Sequence, residues 1–139
     1  MRVPRSLYFA MFSFTASIGV IFGLIASLQD DLGFANSALG LIAGASFFAS
    51  FLGQLFLAPL ADRGRTKPLL LFSIILAALG TLWFALASSV WELTMARALT
   101  GLGFGAFAPA ARAIVSNIDS SRAGERLGRL AAIETSGFV

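Results

Sequence analysis

Four stretches of this chain run without a formal charge for long enough to cross a lipid bilayer. They are Ser6 to Gln29, Leu32 to Ala61, Pro68 to Trp91, and Leu93 to Ala111, the last interrupted only by Arg97. A helix rises about 1.5 Å per residue, so roughly 20 apolar residues cover a hydrocarbon core about 30 Å thick. At that length in lipid, only a helix satisfies its own backbone N–H and C=O groups. The pattern predicts helices over 7–28, 38–60, 69–89 and 92–115, and an incomplete fifth over 127–139. The fold class is all-α, a polytopic transmembrane helix bundle, with residues 1–139 read as one partial N-terminal bundle. The connections are short, and no linker, soluble domain or low-complexity segment separates the runs. The h-region of a cleaved signal peptide would span only about 7–15 residues. The first run is longer and no A-x-A site follows it, so it is read as a crossing.

Composition narrows the function classes. The chain is 58% hydrophobic and 12% charged, with a mean hydropathy of +0.86, too apolar for a domain whose surface must be solvated. A pI near 10.6 would fit a nucleic-acid partner only if the basic residues massed on one soluble face. Here they are scattered between apolar runs, so no nucleic-acid partner is expected. There is no Cys and no His, which removes disulfides, thiol chemistry and the usual zinc ligands. Neither a metal nor a cofactor is expected. Without a His, a Cys or a membrane-embedded carboxylate pair to serve as nucleophile and base, an enzyme is not expected either.

Lys and Arg mark the loops on one side only. Arg2 and Arg5 precede the first run, Arg63, Arg65 and Lys67 separate the second from the third, and Arg122, Arg126 and Arg129 follow the fourth. The opposite connections hold Asp30, Asp31 and Glu92 and no basic residue. The positive-inside rule places the N-terminus and the 62–67 loop in the cytoplasm of a multi-pass cell-membrane protein. Topology alone would not require Asp62 at the end of helix two, a Gly beside it, or Pro68 opening the next helix.

That loop, "LADRGRTKP" within "APLADRGRTKPLLL", resembles the connection between helices two and three of major facilitator superfamily transporters, commonly G-x-L-A-D-R-x-G-R-[RK]-x-x-L. Leu60, Ala61, Asp62, Arg63, Lys67 and Leu70 match without gaps. Ala58 stands at the first Gly, Gly64 comes one position early, Arg65 occupies the second Gly position, and Thr66 replaces a basic residue. "RALTGLGFGAFAPAAR", Arg97 to Arg112, is similar to the fourth helix of the same superfamily, an Arg followed by closely spaced glycines. "ERLGRLAAIETSGFV", Glu125 to Val139, resembles the start of the fifth helix of its drug/proton antiporters, where a G-x-x-x-G-P-x-x-G-G signature would begin near Gly137. The resemblance implies the first four helices and the start of a fifth of a major-facilitator-type fold, in a cell inner membrane. It also implies a secondary active transporter of small organic solutes, with efflux by alternating access, proton as coupling ion, and the missing C-terminal helices of the same chain as partners. A sugar or metabolite carrier of the same superfamily is the second reading. A small non-transporting membrane scaffold, assembling through its Gly and Ala faces, is the reading from another class.

Individual residues carry narrower expectations. By resemblance the loop residues Asp62, Arg63, Arg65 and Lys67 form a conformational gate, with Asp62 free to pair with Arg65 or Lys67 or with the positive end of a neighbouring helix. Arg97 is an intramembrane charge about 7 Å inside its helix, expensive in lipid and expected to face a cavity or a partner, with snorkelling to the interface as the rival. Glu134, about 7 Å into the fifth helix, is the one carboxylate well inside an apolar run and a candidate proton carrier. Gly40, Gly44, Gly53, Gly101 and Gly105 have the small-x-x-x-small character that lets helices pack closely, and Pro109 removes a helix hydrogen bond and bends the inner half of helix four. Phe9, Ser13 and Ser17 offer a mixed aromatic and hydroxyl face on helix one. By resemblance helices one and four line the central cavity, so this face is a candidate cavity lining.

Overall fold

The computed structural model describes residues 4–118 and 120–138. Among these residues there are five α-helices and no strand: α1 (Arg5–Leu32), α2 (Asn36–Asp62), α3 (Thr66–Leu86), α4 (Val90–Ile118) and α5 (Ala123–Phe138), the last preceded by a 3₁₀ turn at Ser120–Arg122. The first four are long and apolar enough to span a bilayer.

Each connection follows from its local sequence. After α1 the chain turns at Gly33, whose φ of 66° lies in the left-handed region, and its N–H donates to the Gln29 carbonyl at 2.8 Å. After α2, Gly64 takes φ 78°. The Arg65 N–H donates to the Leu60 carbonyl and the Gly64 N–H to the Ala61 carbonyl, both at 3.1 Å, which is the double bond of a Schellman stop. This explains the displaced glycine of the loop motif. The turn needs its left-handed residue at position 64, and Arg65, with φ −88°, stands where no glycine is required. Gly64→Val is therefore expected to cost about 1–2 kcal/mol, read as a lower thermal unfolding midpoint in detergent. Arg65→Gly should bring no gain.

Between α3 and α4 the structure corrects the expected boundary at residue 89. Helix α3 stops at Leu86 because Ala87 is extended, with φ −70° and ψ 136°. The Glu92 carboxylate accepts hydrogen bonds from the backbone N–H groups of Ser88 at 2.9 Å and Ser89 at 3.2 Å, while the Glu92 N–H donates to the Ser89 hydroxyl at 3.3 Å. This reciprocal capping box starts α4 at Val90. Helix α5 likewise begins at Ala123 rather than 127, its first turn carrying Glu125.

Helix α4 is the most deeply packed. It lies along α2 on one side and α3 on the other and touches α5 near its end. The close approach depends on small residues. A Cβ on Gly101 would collide with the Ser46 carbonyl, and one on Gly105 with the Ser50 carbonyl; a Cβ on Gly53 would lie 3.0 Å from the Leu102 carbonyl. Toward α3, a Cβ on Gly103 would sit 2.8 Å from the Ser73 carbonyl. Helix α1 meets α4 through Phe14, whose ring lies 5.6 Å from Phe104 and 5.2 Å from Phe107. Helix α5 docks on α1 where Gly137 faces Thr15 and the Phe12 carbonyl. Buried hydroxyls bond to their own helices, Thr15 to the Met11 carbonyl at 3.0 Å and Thr100 to the Ala96 carbonyl at 2.9 Å. Side chains such as Phe48, Phe56, Leu86 and Trp91 point outward, an arrangement suited to lipid rather than water.

Two of the expected packing glycines do not pack. A Cβ at Gly40 or Gly44 would meet nothing within 4 Å; both lie on the outer face of α2, while the turns that meet α4 are those of Ser46, Ser50 and Gly53. Pro109 lies inside α4, which continues to Ile118, and Pro59 lies inside α2.

Candidate functional site

Arg97 is the most unusual side chain of the bundle. Seven residues into α4, about 10 Å along the helix axis, it has 0% of its surface exposed. None of its three guanidinium nitrogens has a hydrogen-bond partner. It does not snorkel to the interface. Its Cζ lies 5.0 Å from the centroid of the Phe22 ring, and Phe22 in turn stacks on Phe47 of α2, centroids 5.9 Å apart and planes 28° apart. A desolvated cation over a ring gains about 2 kcal/mol, whereas burying an unpaired charge costs several. The stack offsets only part of that cost. One turn further along α4, a pocket of about 210 Å³ shares Phe47 and is also lined by Ile18, Ser46, Ser50, Gln54 and Phe104.

Phe9, Ser13 and Ser17 do share a concave surface, but with α3 rather than along α4. They line a groove of about 670 Å³ with Ile74, Ala78 and Thr81, and α4 contributes only Thr100. The Ser17 hydroxyl donates to the Ser13 carbonyl at 2.8 Å, so this pair bonds along its own helix. Phe9 is 72% exposed.

Asp62, Arg63, Arg65 and Lys67 all stand exposed around the Gly64 turn. Among the described residues Asp62 forms no ion pair with Arg65 or Lys67. The ion pair that is present joins α4 to α5: Arg112 Nη2 lies 3.2 Å from Glu134 Oε2. Glu134 is thus not a lone carboxylate near the start of its helix. With α5 beginning at Ala123 it lies eleven residues in, about 16 Å along the axis. Sequence reasoning placed Arg112 at a helix end and missed it as a partner, because residues 22 apart in different helices leave no periodic signature. Phe22 and Phe47 were missed for the same reason, each reading as an ordinary apolar residue of its span.

Four membrane-length helices folded on one another, with a buried cation on the most enclosed of them, define a polytopic integral membrane protein. Residues 7–139 match the sequence profile of the Major Facilitator Superfamily, and the chain belongs to that family. It is 27% identical over 134 residues to the quinolone resistance protein NorA of Staphylococcus aureus (strain Mu50 / ATCC 700699), covering 96% of this chain and 34% of that protein. The NorA of strain MRSA252 is 26% identical over the same length. A gentisate transporter of Corynebacterium glutamicum is 27% identical over 100 residues, 71% of this chain and 22% of that one. The chain spans about a third of the length of the NorA relatives it matches.

Proposed function

We propose that this chain forms the N-terminal part of a secondary active transporter that moves small organic solutes by alternating access, with proton-coupled efflux as its mode. Residues 1–139 then supply one partial bundle, and further helices of the same polypeptide close the pathway against it. Its partners are a small-molecule solute, the proton and the lipid bilayer. Family membership supports this reading, as do relatives named for quinolone resistance and for gentisate transport.

The observation that carries it is Arg97. A buried, unpaired guanidinium in a membrane helix lowers stability, so its presence is accounted for by something it does. An anionic group, from solute or from the remaining helices, would complete it. The basic loops put the N-terminus and the Asp62 to Lys67 turn in the cytoplasm. There the exposed Asp62, Arg63, Arg65 and Lys67 act as a gate, their partners lying outside the loop because none lies within it.

The test is solute movement in inverted vesicles carrying the full-length protein, with ethidium as probe. Uptake driven by an imposed pH gradient and abolished by a protonophore is expected. Asp62→Asn should slow it about tenfold, the effect of a latch worth about 1.4 kcal/mol. Uptake indifferent to the protonophore would exclude proton coupling, and no uptake of any of a panel of organic solutes would exclude transport.

A further inference from the structure

The Arg112–Glu134 pair has the features of a place where a proton acts, and we propose that Glu134 is a proton-binding site whose occupation releases Arg112 and frees α5 from the C-terminal third of α4. The use of such a site rests on the transport reading above, but its existence does not.

Four observations converge on it. First, the pair is the only ion pair found among the described residues, and it ties together two helices that otherwise meet sparingly. Second, its exposure is lopsided. The Arg112 side chain is 50% exposed and that of Glu134 18%, so water and protons reach the carboxylate past the guanidinium while the rest of Glu134 is covered. Third, the geometry is loose. Both carboxylate oxygens approach one nitrogen, Nη2, at 3.2 and 3.5 Å, rather than forming the two parallel bonds of a bidentate pair. A pair held this way is easily exchanged for solvent. Fourth, both partners sit where a small displacement is passed on. Glu134 is three residues from Gly137, on the same face of α5, and Gly137 is the residue set against Thr15 and the Phe12 carbonyl of α1. Arg112 lies just beyond Pro109, which has no N–H to give the Gly105 carbonyl, so the segment carrying Arg112 is joined to the rest of α4 by one hydrogen bond fewer.

The chemistry is a single protonation. With Glu134 ionised, its carboxylate accepts from Arg112. When a proton from water binds a carboxylate oxygen, the guanidinium keeps its charge, loses its acceptor and turns toward water. The charged and titratable groups that other elements bring near α5 are Arg112 of α4, Arg5 and Tyr8 of α1, and Arg122 of the 3₁₀ turn. Tyr8 is engaged by Arg129, whose Cζ lies 6.0 Å from its ring centroid, and of these groups Arg112 alone pairs with Glu134.

The natural absence of cysteine makes the test direct. Nitroxide labels at Asn117→Cys on α4 and Ala132→Cys on α5, both exposed positions, report the separation of the helices in the full chain held in lipid nanodiscs. The distance distribution is expected to shift to longer values as the pH falls from neutral to mildly acid. Glu134→Gln should give the longer distances at every pH, with loss of the pH response. Arg112→Gln, which leaves the carboxylate in place, should do the same, so the proposal stays testable if one variant does not fold. Wild-type distances with the pH response intact in either variant would overturn it, as would a wild-type distribution that does not respond to pH. Because the readout needs no transport, failure of the transport reading leaves this result standing, and the converse.

Discussion

Replacing Arg97 with methionine is expected to raise the stability of the bundle and to reduce transport to background. The two effects have one cause. Arg97 is fully buried, its three nitrogens lack partners, and its one compensating contact is the Phe22 ring at 5.0 Å. An apolar side chain of similar length removes the desolvation cost and keeps the packing. Exchanges of buried charge for apolar side chains stabilise by about 1–4 kcal/mol where they have an effect, and loss of the cation–ring contact subtracts up to about 2 kcal/mol. A net gain of about 1–2 kcal/mol remains, read as a higher unfolding midpoint in detergent by the fluorescence of Trp83 and Trp91. Arg97→Lys should behave differently: it keeps the charge but not the planar stack on Phe22, so transport should fall without the gain in stability. A methionine variant less stable than wild type would mean that a counter-charge pairs with Arg97 in the complete protein. One that transports normally would remove Arg97 from the mechanism.

How much of this was legible in the residues differs by level. The spans were plain because a bilayer imposes a minimum length on uncharged sequence, and the run from Ser6 to Gln29 can be read by counting. The ends were less so. Helix α3 was placed three residues too long because Ala87, Ser88 and Ser89 are uncharged and continue the apolar run, whereas the signal that ends it is the Ser89 to Glu92 capping box on the following helix. The glycines divide in the same way. Gly101 and Gly105 against α2, and Gly40 and Gly44 against nothing, have the same spacing. Spacing says that a close approach is open to a face, and only the fold says which face is taken. The buried guanidinium was visible as a charge inside a span, but its stack on Phe22 and Phe47, like the pairing of Arg112 with Glu134, joins residues from different helices that local pattern cannot relate.

That division of the glycines leads to a sharp contrast in measured stability. Gly105→Ala and Gly101→Ala are each expected to lower stability by about 1–3 kcal/mol, because the new Cβ would collide with the Ser50 or Ser46 carbonyl of α2, and a backbone carbonyl, unlike the end of a flexible side chain, cannot swing aside. The valine variants should cost more and separate α2 from α4. The double alanine variant should cost less than the sum of its parts, since the two sites lie on one seam and the first collision already parts the helices. On the outer face of α2 the sign reverses. Gly40→Ala and Gly44→Ala add a Cβ that meets nothing within 4 Å and remove a glycine from a helix interior, a change favoured by up to about 1 kcal/mol. Unfolding titrations in mixed detergent micelles, run on this chain and on the full-length protein, distinguish the cases. In the chain itself, equal damage from Gly44→Ala and Gly105→Ala would contradict the packing described. In the full-length protein alone, the same damage at Gly44 would show that a further helix covers that face, which makes the pair of measurements a direct probe of where the rest of the transporter meets α2.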